Sequence, residues 1–362
     1  MTPRLTILLG AGGVGKTTLS AALGVALARA GEHAGLLSVD PACRLRSALG
    51  LAELPEAGVA VPLHGRPGSL DAAMLDPSAS LRRWVAADCP DDDARARVLV
   101  SPYFVALADH LAGLGDAIGC ARAAEWAERD PALTELVLDT APGMPALELL
   151  SRPDKLMEFF DGRMIRWITR LAKLSKLGLV GRGAHRVLHG IAEVSGMTVL
   201  REFGELLTAV DRAVATMIVR LERVRRWLKE PTTSLVIVCS VNDDAAEAAR
   251  ALDLALRDLG FAPSLVVLNR TLPAALADVA RLRADAPAEA RAFARYVTSY
   301  LRIQDRVRAQ LTVELTRVID LPDAVALDGA GRLDGLAALG EPLRAQLVAQ
   351  RAAPRRVATG PR

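Results

Sequence analysis

Gly10-Ala11-Gly12-Gly13-Val14-Gly15-Lys16-Thr17 lies between an apolar run, Leu5-Thr6-Ile7-Leu8-Leu9, and an alanine- and leucine-rich stretch of helical character. The pattern is G-x-x-x-x-G-K-[ST], and a strand before it with a helix after it is the setting in which that pattern grips phosphate. Glycines let successive backbone N–H groups turn inward around an anion, and a helix opening near Lys16 adds the positive end of its dipole. Lys16 would then reach the β- and γ-phosphates of a nucleoside triphosphate. Thr17 would ligate Mg²⁺, and Thr18 would donate to the α-phosphate. The chain holds five lysines among 45 basic residues. It keeps one here, where a compact ammonium fits among phosphates and a planar guanidinium does not. The plainer alternative is a glycine-rich turn that binds nothing.

Outward from the loop, short apolar runs with little alternation recur at 5–9, 35–39, 133–138, 234–239, 264–268 and 316–319. Such runs read as parallel strands covered on both faces. Helical patterns separate them, at 18–30 and 244–259 for example. The fold expected is α/β, a doubly wound and mostly parallel sheet. Its core is assigned to residues 1–64, 131–150 and 231–350. Residues 65–130 and 151–230 read as helical insertions on that core, and 351–362 as a disordered tail. No internal repeat is visible.

Composition narrows the function. With 45 Lys and Arg against 42 Asp and Glu, the net charge is +3, too small for a dedicated nucleic-acid binder. Aromatics at 4% give no stacking platform for single strands. Cys43, Cys89, Cys120 and Cys239 are scattered without a C-x-x-C, which suits a reducing compartment better than a disulfide framework or a zinc ribbon. No apolar run approaches the 18 or so residues of a membrane span. Met1-Thr2-Pro3-Arg4 leads directly into a strand-like run with no cleavable signal pattern. The expectation is a soluble, cytoplasmic protein, with peripheral attachment at a membrane left open.

Two acidic segments follow strands. Asp40-Pro41-Ala42 comes after the second, and Asp139-Thr140-Ala141-Pro142 after 133–138. In an open parallel sheet, ligands sit beyond the carboxyl ends of the strands, so both aspartates should face the phosphate loop. One carboxylate can hold Mg²⁺ through water while another orients or deprotonates the attacking water. The alternative is that each aspartate caps a helix.

Residues 10–18, then Ser38-Val39-Asp40-Pro41-Ala42, then Val137-Leu138-Asp139-Thr140-Ala141-Pro142, then Val266-Val267-Leu268-Asn269-Arg270 together resemble the ArsA-type ATPases. That family includes the driving subunit of an anion pump and the ATPase that delivers tail-anchored membrane proteins. It stands with MinD and ParA among the deviant Walker A NTPases. The resemblance spans essentially the whole chain and implies a SIMIBI-like fold, an ATP substrate with Mg²⁺, and a nucleotide-gated dimer. It makes Asp40 the water-activating residue, Asp139 the aspartate near Mg²⁺, and Asn269 the reader of adenine. It also makes Leu321-Pro322-Asp323 the cover on the base's other side. From its residue type alone, Asn269 could donate to and accept from an adenine edge, or simply make a turn before Arg270.

The chain departs from that family in informative places. A lysine normally follows the first glycine of the loop and crosses the dimer interface; here that position is Ala11. A cation supplied in trans can be worth about 10³–10⁵ in rate. Either hydrolysis is slow, or another group replaces the charge, or a lysine-bearing paralogue completes a heterodimer, as in some bacterial ArsA-like pairs. The family's T-G-H-T is replaced by Gly143-Met144-Pro145-Ala146, and neither its zinc cysteines nor its metalloid cysteines can be placed. Cys43 could sense oxidation or be an ordinary buried thiol.

Residues 155–188 carry eight Lys and Arg against two acids. Leu156, Phe160, Met164, Trp167, Leu171 and Leu174 form an apolar stripe at helical spacing. A basic amphipathic helix can meet a protein or membrane-associated client, or it can face a core. His185 and His189, four residues apart, lack the glutamate of a metal-binding helix motif. Three functional readings follow: an ATPase whose nucleotide state gates client binding, a partner subunit that holds ATP without turning it over, and a ParA- or MinD-like positioning ATPase. No nucleic-acid partner is expected.

Overall fold

The computed structural model describes residues 2–40, 44–63, 65, 67–89, 91–101, 104–105, 115–141, 212–213, 215–242, 244–273, 276, 278–279, 287–315, 317–323 and 331–352. In chain order the elements are β1 (Arg4–Gly10), α1 (Lys16–Arg29), β2 (His33–Ser38), α2 (Arg44–Leu49), β3 (Val59–Ala60), β4 (Ser69–Met74), α3 (Pro77–Ala87) and α4 (Asp92–Val100). Then come α5 (Gly115–Arg129), β5 (Glu135–Asp139), β6 (Thr233–Ser240), α6 (Ala245–Asp258), β7 (Leu265–Thr271), α7 (Ala288–Glu314), β8 (Val318–Pro322) and α8 (Arg332–Ala352).

The strands form one eight-stranded sheet in the order β3-β4-β2-β5-β1-β6-β7-β8. Every pairing is parallel except the short β3 against β4. The expected α/β doubly wound architecture is the one observed. β1, β5 and β7 are buried through almost their whole length, because helices cover both faces of the sheet. The chain winds from β1 toward β4 on one side and from β6 toward β8 on the other. The carboxyl ends beside β1 therefore open a crevice where ligands bind in such sheets.

Contact between residues divides the chain into two units. The first comprises Met1–Met74, Arg129–Glu148 and Trp227–Arg362 and contains the sheet. In it, α8 lies against α1 so closely that a Cβ on Gly340 would come 2.0 Å from the Ala22 carbonyl oxygen. No side chain fits there, and Pro342, two residues on, interrupts the helical hydrogen bonding.

The second unit comprises Leu75–Glu128 and Leu149–Arg226. Asp76 and Asp91 cap α3 and α4, accepting from the Ala79 and Ala94 backbone N–H groups. Arg83 donates to the buried Glu125 at 2.6 Å, and Arg220 lies over the Trp84 ring. Burial would raise the Glu125 carboxyl, but the hydrogen bond from Arg83 and the nearby Arg122 hold it below its ordinary range.

Two expectations need correction. Ser69–Met74, within the stretch read as helical, is an interior strand paired with β2 and β3. Arg351, read as the first residue of a disordered tail, belongs to α8 and donates through its two terminal guanidinium nitrogens, Nη1 and Nη2, to Glu135, at 2.8 and 2.9 Å. Arg4 and Thr6 donate to the same carboxylate. Burial would raise Glu135, yet these donors keep it ionised and below the ordinary value. A buried carboxylate with two guanidinium partners explains why the helix holds to this point. Residues 353–362 lie outside the described residues, as do 142–211, which carry the basic stripe, the Gly143–Ala146 departure, and His185 and His189. Among the described residues, no helix is long and apolar enough to cross a membrane.

Candidate active site

β1 delivers the glycine loop to the middle of the sheet's carboxyl edge, and α1 begins at Lys16 directly behind it. Gly15 takes the N-cap position with φ 96°, a left-handed conformation, and offers no side-chain cap. The first turn contains no acidic side chain, so its N–H groups and dipole are presented to an anion. A Cβ at Gly15 would also strike the Asn269 amide nitrogen at 2.3 Å. Glycine is therefore demanded twice here, by conformation and by space.

Lys16 is 6% exposed. Its Nζ donates to the Gly10 and Ala11 carbonyl oxygens at 3.0 and 2.9 Å, folding the side chain back over its own loop. Burial lowers its pKa, the charges of Asp139 and Asp40 oppose that change, and Arg44 at the head of α2 adds to it. The loop thus holds an ammonium whose fixed partners are two neutral carbonyls, a cation that an incoming phosphate can claim.

Asp139 ends β5 with no exposed surface. It accepts from Ser38 Oγ at 3.0 Å, from Ser20 Oγ at 3.4 Å and from the Thr17 hydroxyl. Burial pushes its carboxyl up to about 6; the Thr17 and Ser38 hydroxyls and Lys16 pull it down, while Asp40 pushes it further up. Asp40, 9% exposed, follows the end of β2 on the same edge. The next strand terminus is fixed by Thr140, whose hydroxyl donates to the Leu8 carbonyl at 2.6 Å.

The structure thus brings Gly10, Gly12, Gly13, Val14, Gly15, Lys16, Thr17 and Thr18 together with Asp40, Asp139 and Asn269. Asn269, two residues before the end of β7 and 5% exposed, donates through Nδ2 to the Val14 carbonyl oxygen at 2.8 Å. One of its donors is therefore committed to the loop itself. From sequence, Ser20 has no place and Ser38 enters only as the first residue of the motif at 38–42, without a role. Ser20 lies one turn beyond Lys16 on α1, and Ser38 immediately precedes Val39-Asp40, so both were within reach of a helical or strand-end argument. Cys43 lies outside the described residues. Cys239 is a buried thiol that donates to the Val267 carbonyl, and burial pushes its pKa up to about 12. That is the condition of an inert cysteine.

A hydroxyl and two carboxylates are hard oxygen donors, the set that suits Mg²⁺. Their protonation has a measurable consequence. The folded protein holds the Asp139 proton up to about pH 6, whereas the unfolded chain releases it near pH 4. The folded state therefore binds more protons across that window, and the stability associated with this carboxyl falls as pH rises through it, by about 3 kcal/mol at most. Asp139→Asn is expected to raise the melting temperature of the nucleotide-free protein at pH 7.5, with the difference vanishing near pH 4. Scanning calorimetry at the two pH values checks it, and equal melting at both would overturn the assignment.

Comparison with known proteins points the same way as the geometry. The profile of the family described as anion-transporting ATPase matches residues 4–298. Among curated proteins, the chain is 33% identical over 147 residues to the ATPase GET3 of Malassezia globosa, covering 41% of each chain. It is 31% identical over 169 residues to the ATPase get3 of Aspergillus terreus, covering 46% of this chain and 45% of that one. It is 25% identical over 295 residues to the ATPase GET3C of Arabidopsis thaliana, covering 75% of this chain and 68% of that one. The chain thus spans less than half the length of the two fungal relatives and about two thirds of the plant one.

Proposed function

This chain belongs to the anion-transporting ATPase family, and on that premise we propose that it binds and hydrolyses MgATP as a nucleotide-gated dimer, with nucleotide state controlling binding and release of a protein or membrane-associated client. One observation carries the reading: a buried ammonium, resting on carbonyls of its own glycine loop at the head of α1, with two carboxylates close enough to act on it. Lys16 leaves the Gly10 and Ala11 carbonyls for the β- and γ-phosphates, while the loop N–H groups hold the remaining phosphate oxygens. The Thr17 hydroxyl, with Asp139 and Asp40 around it, would hold Mg²⁺, which would supply positive charge to the phosphate oxygens. Asp40 orients the attacking water and accepts its proton as the water oxygen bonds to the γ-phosphorus and the bond to the β-phosphate oxygen breaks. ADP and inorganic phosphate leave. Loss of the γ-phosphate from beside Asp40 and Asp139 then resets the client-binding surface.

Ala11 favours a second reading, a partner subunit that holds ATP without efficient turnover until a lysine-bearing paralogue completes the site. Phosphate release by the purified chain, alone and mixed with such a paralogue, separates the two. The expected result is slow turnover alone and faster turnover on mixing. Retained ATP affinity with no hydrolysis in either case would sink the enzyme reading.

A further inference from the structure

We infer that Tyr300 and Gln304, one turn apart on α7, are positioning residues for base selection: they lock the backbone after Asn269 so that its amide favours adenine over guanine. The inference rests on the ATP reading and assigns specificity within that site. The ladder between β7 and β8 shifts register between Leu268 and Thr271, which leaves Asn269 and Arg270 without a regular partner on the β8 side, while Asn269 still pairs with Ser240 of β6 and Arg270 does not. Arg270 stands at φ 60°, a left-handed conformation that a side-chain-bearing residue keeps only where its surroundings over-determine it.

Those surroundings can be named. Tyr300 Oη donates to the Arg270 carbonyl oxygen at 2.7 Å. The Asp323 backbone N–H donates to the Thr271 carbonyl oxygen at 3.0 Å. The Leu272 backbone N–H donates to Gln304 Oε1 at 2.8 Å, with Gln304 only 4% exposed. Three successive residues are therefore tied down, and the Tyr296 ring, 6.1 Å from that of Tyr300, supports the tyrosine from the side.

The selection follows from the other end of the turn. Asn269 Nδ2 already donates to the Val14 carbonyl. Turning the amide over would set Oδ1 against that carbonyl, two acceptors face to face, so the orientation is fixed. What remains for a base is the Oδ1 acceptor and one N–H. Adenine's exocyclic amine matches the acceptor; guanine puts a carbonyl oxygen there instead.

The test compares dissociation constants for MgATP, MgGTP and magnesium tripolyphosphate by calorimetry on the full chain. Tyr300→Phe and Gln304→Leu are each expected to lower the preference for ATP over GTP by about fivefold, one hydrogen bond's worth, while tripolyphosphate binding is unchanged. Gln304→Glu keeps the acceptor for Leu272 and should keep the preference. An unchanged ratio in both Tyr300→Phe and Gln304→Leu, or equal weakening of all three ligands, would overturn the inference. Failure of the unsubstituted chain to bind any of the three would instead overturn the nucleotide reading.

Discussion

Lys16→Ala is expected to weaken MgATP binding by about a hundredfold or more and to abolish turnover, with the fold intact. The ammonium is the charge that the loop brings to the phosphates, and charge-assisted hydrogen bonds to a polyanion in a partly dry site are the strong ones. Removing the side chain also removes a buried cation whose pKa is lowered chiefly by desolvation, so the nucleotide-free variant is expected to melt no lower than the parent. Lys16→Arg sharpens the test. The chain uses forty arginines and five lysines, so arginine is its ordinary cation, yet the planar fork is too broad for a pocket closed by the Gly10 and Ala11 carbonyls. It should fail nearly as completely. Calorimetry with MgATP reads both variants, and parental affinity in Lys16→Ala would dismantle the active site as assigned.

What was legible in the sequence was local. The loop announces itself because its glycines, lysine and threonine must be consecutive, and strands buried on both faces leave continuous apolar runs such as Leu235-Val236-Ile237-Val238. β4 was missed because Ser69-Leu70-Asp71-Ala72-Ala73-Met74 contains no β-branched or aromatic residue. It is a strand because its backbone pairs with β2 on one side and β3 on the other, and no local preference records that. Arg351 looked like tail for a similar reason: its partner, Glu135, is 216 residues away. Asp139 was found from its position at a strand end, but its hydroxyl cage comes from two other elements, α1 and β2. The bond from Asn269 to Val14 spans 255 residues; sequence placed the asparagine on the right edge and could not show that one of its donors was already taken.

Asp40→Asn separates binding from chemistry. The amide has nearly the shape of the carboxylate and sits on the same sheet edge, so phosphate contacts made by the loop and Lys16 survive. ATP affinity is expected to stay within a few-fold of the parent. What would be lost is the proposed base that receives the proton from water, worth about 10²–10⁴ in rate, so turnover should fall at least a hundredfold. Asp40 also contributes to holding the Lys16 ammonium charged and to pushing the Asp139 carboxyl up. The variant should accordingly lower the pH at which Asp139 ionises, and this change can be read in the pH dependence of magnesium-dependent nucleotide binding. A protein that binds ATP and cannot discharge it accumulates in its triphosphate state, and associates that recognise that state should copurify with Asp40→Asn in ATP and leave in ADP. If the same associates are retained in both nucleotides, the γ-phosphate does not control the surface they bind, and a gated cycle is the wrong description even where hydrolysis is real.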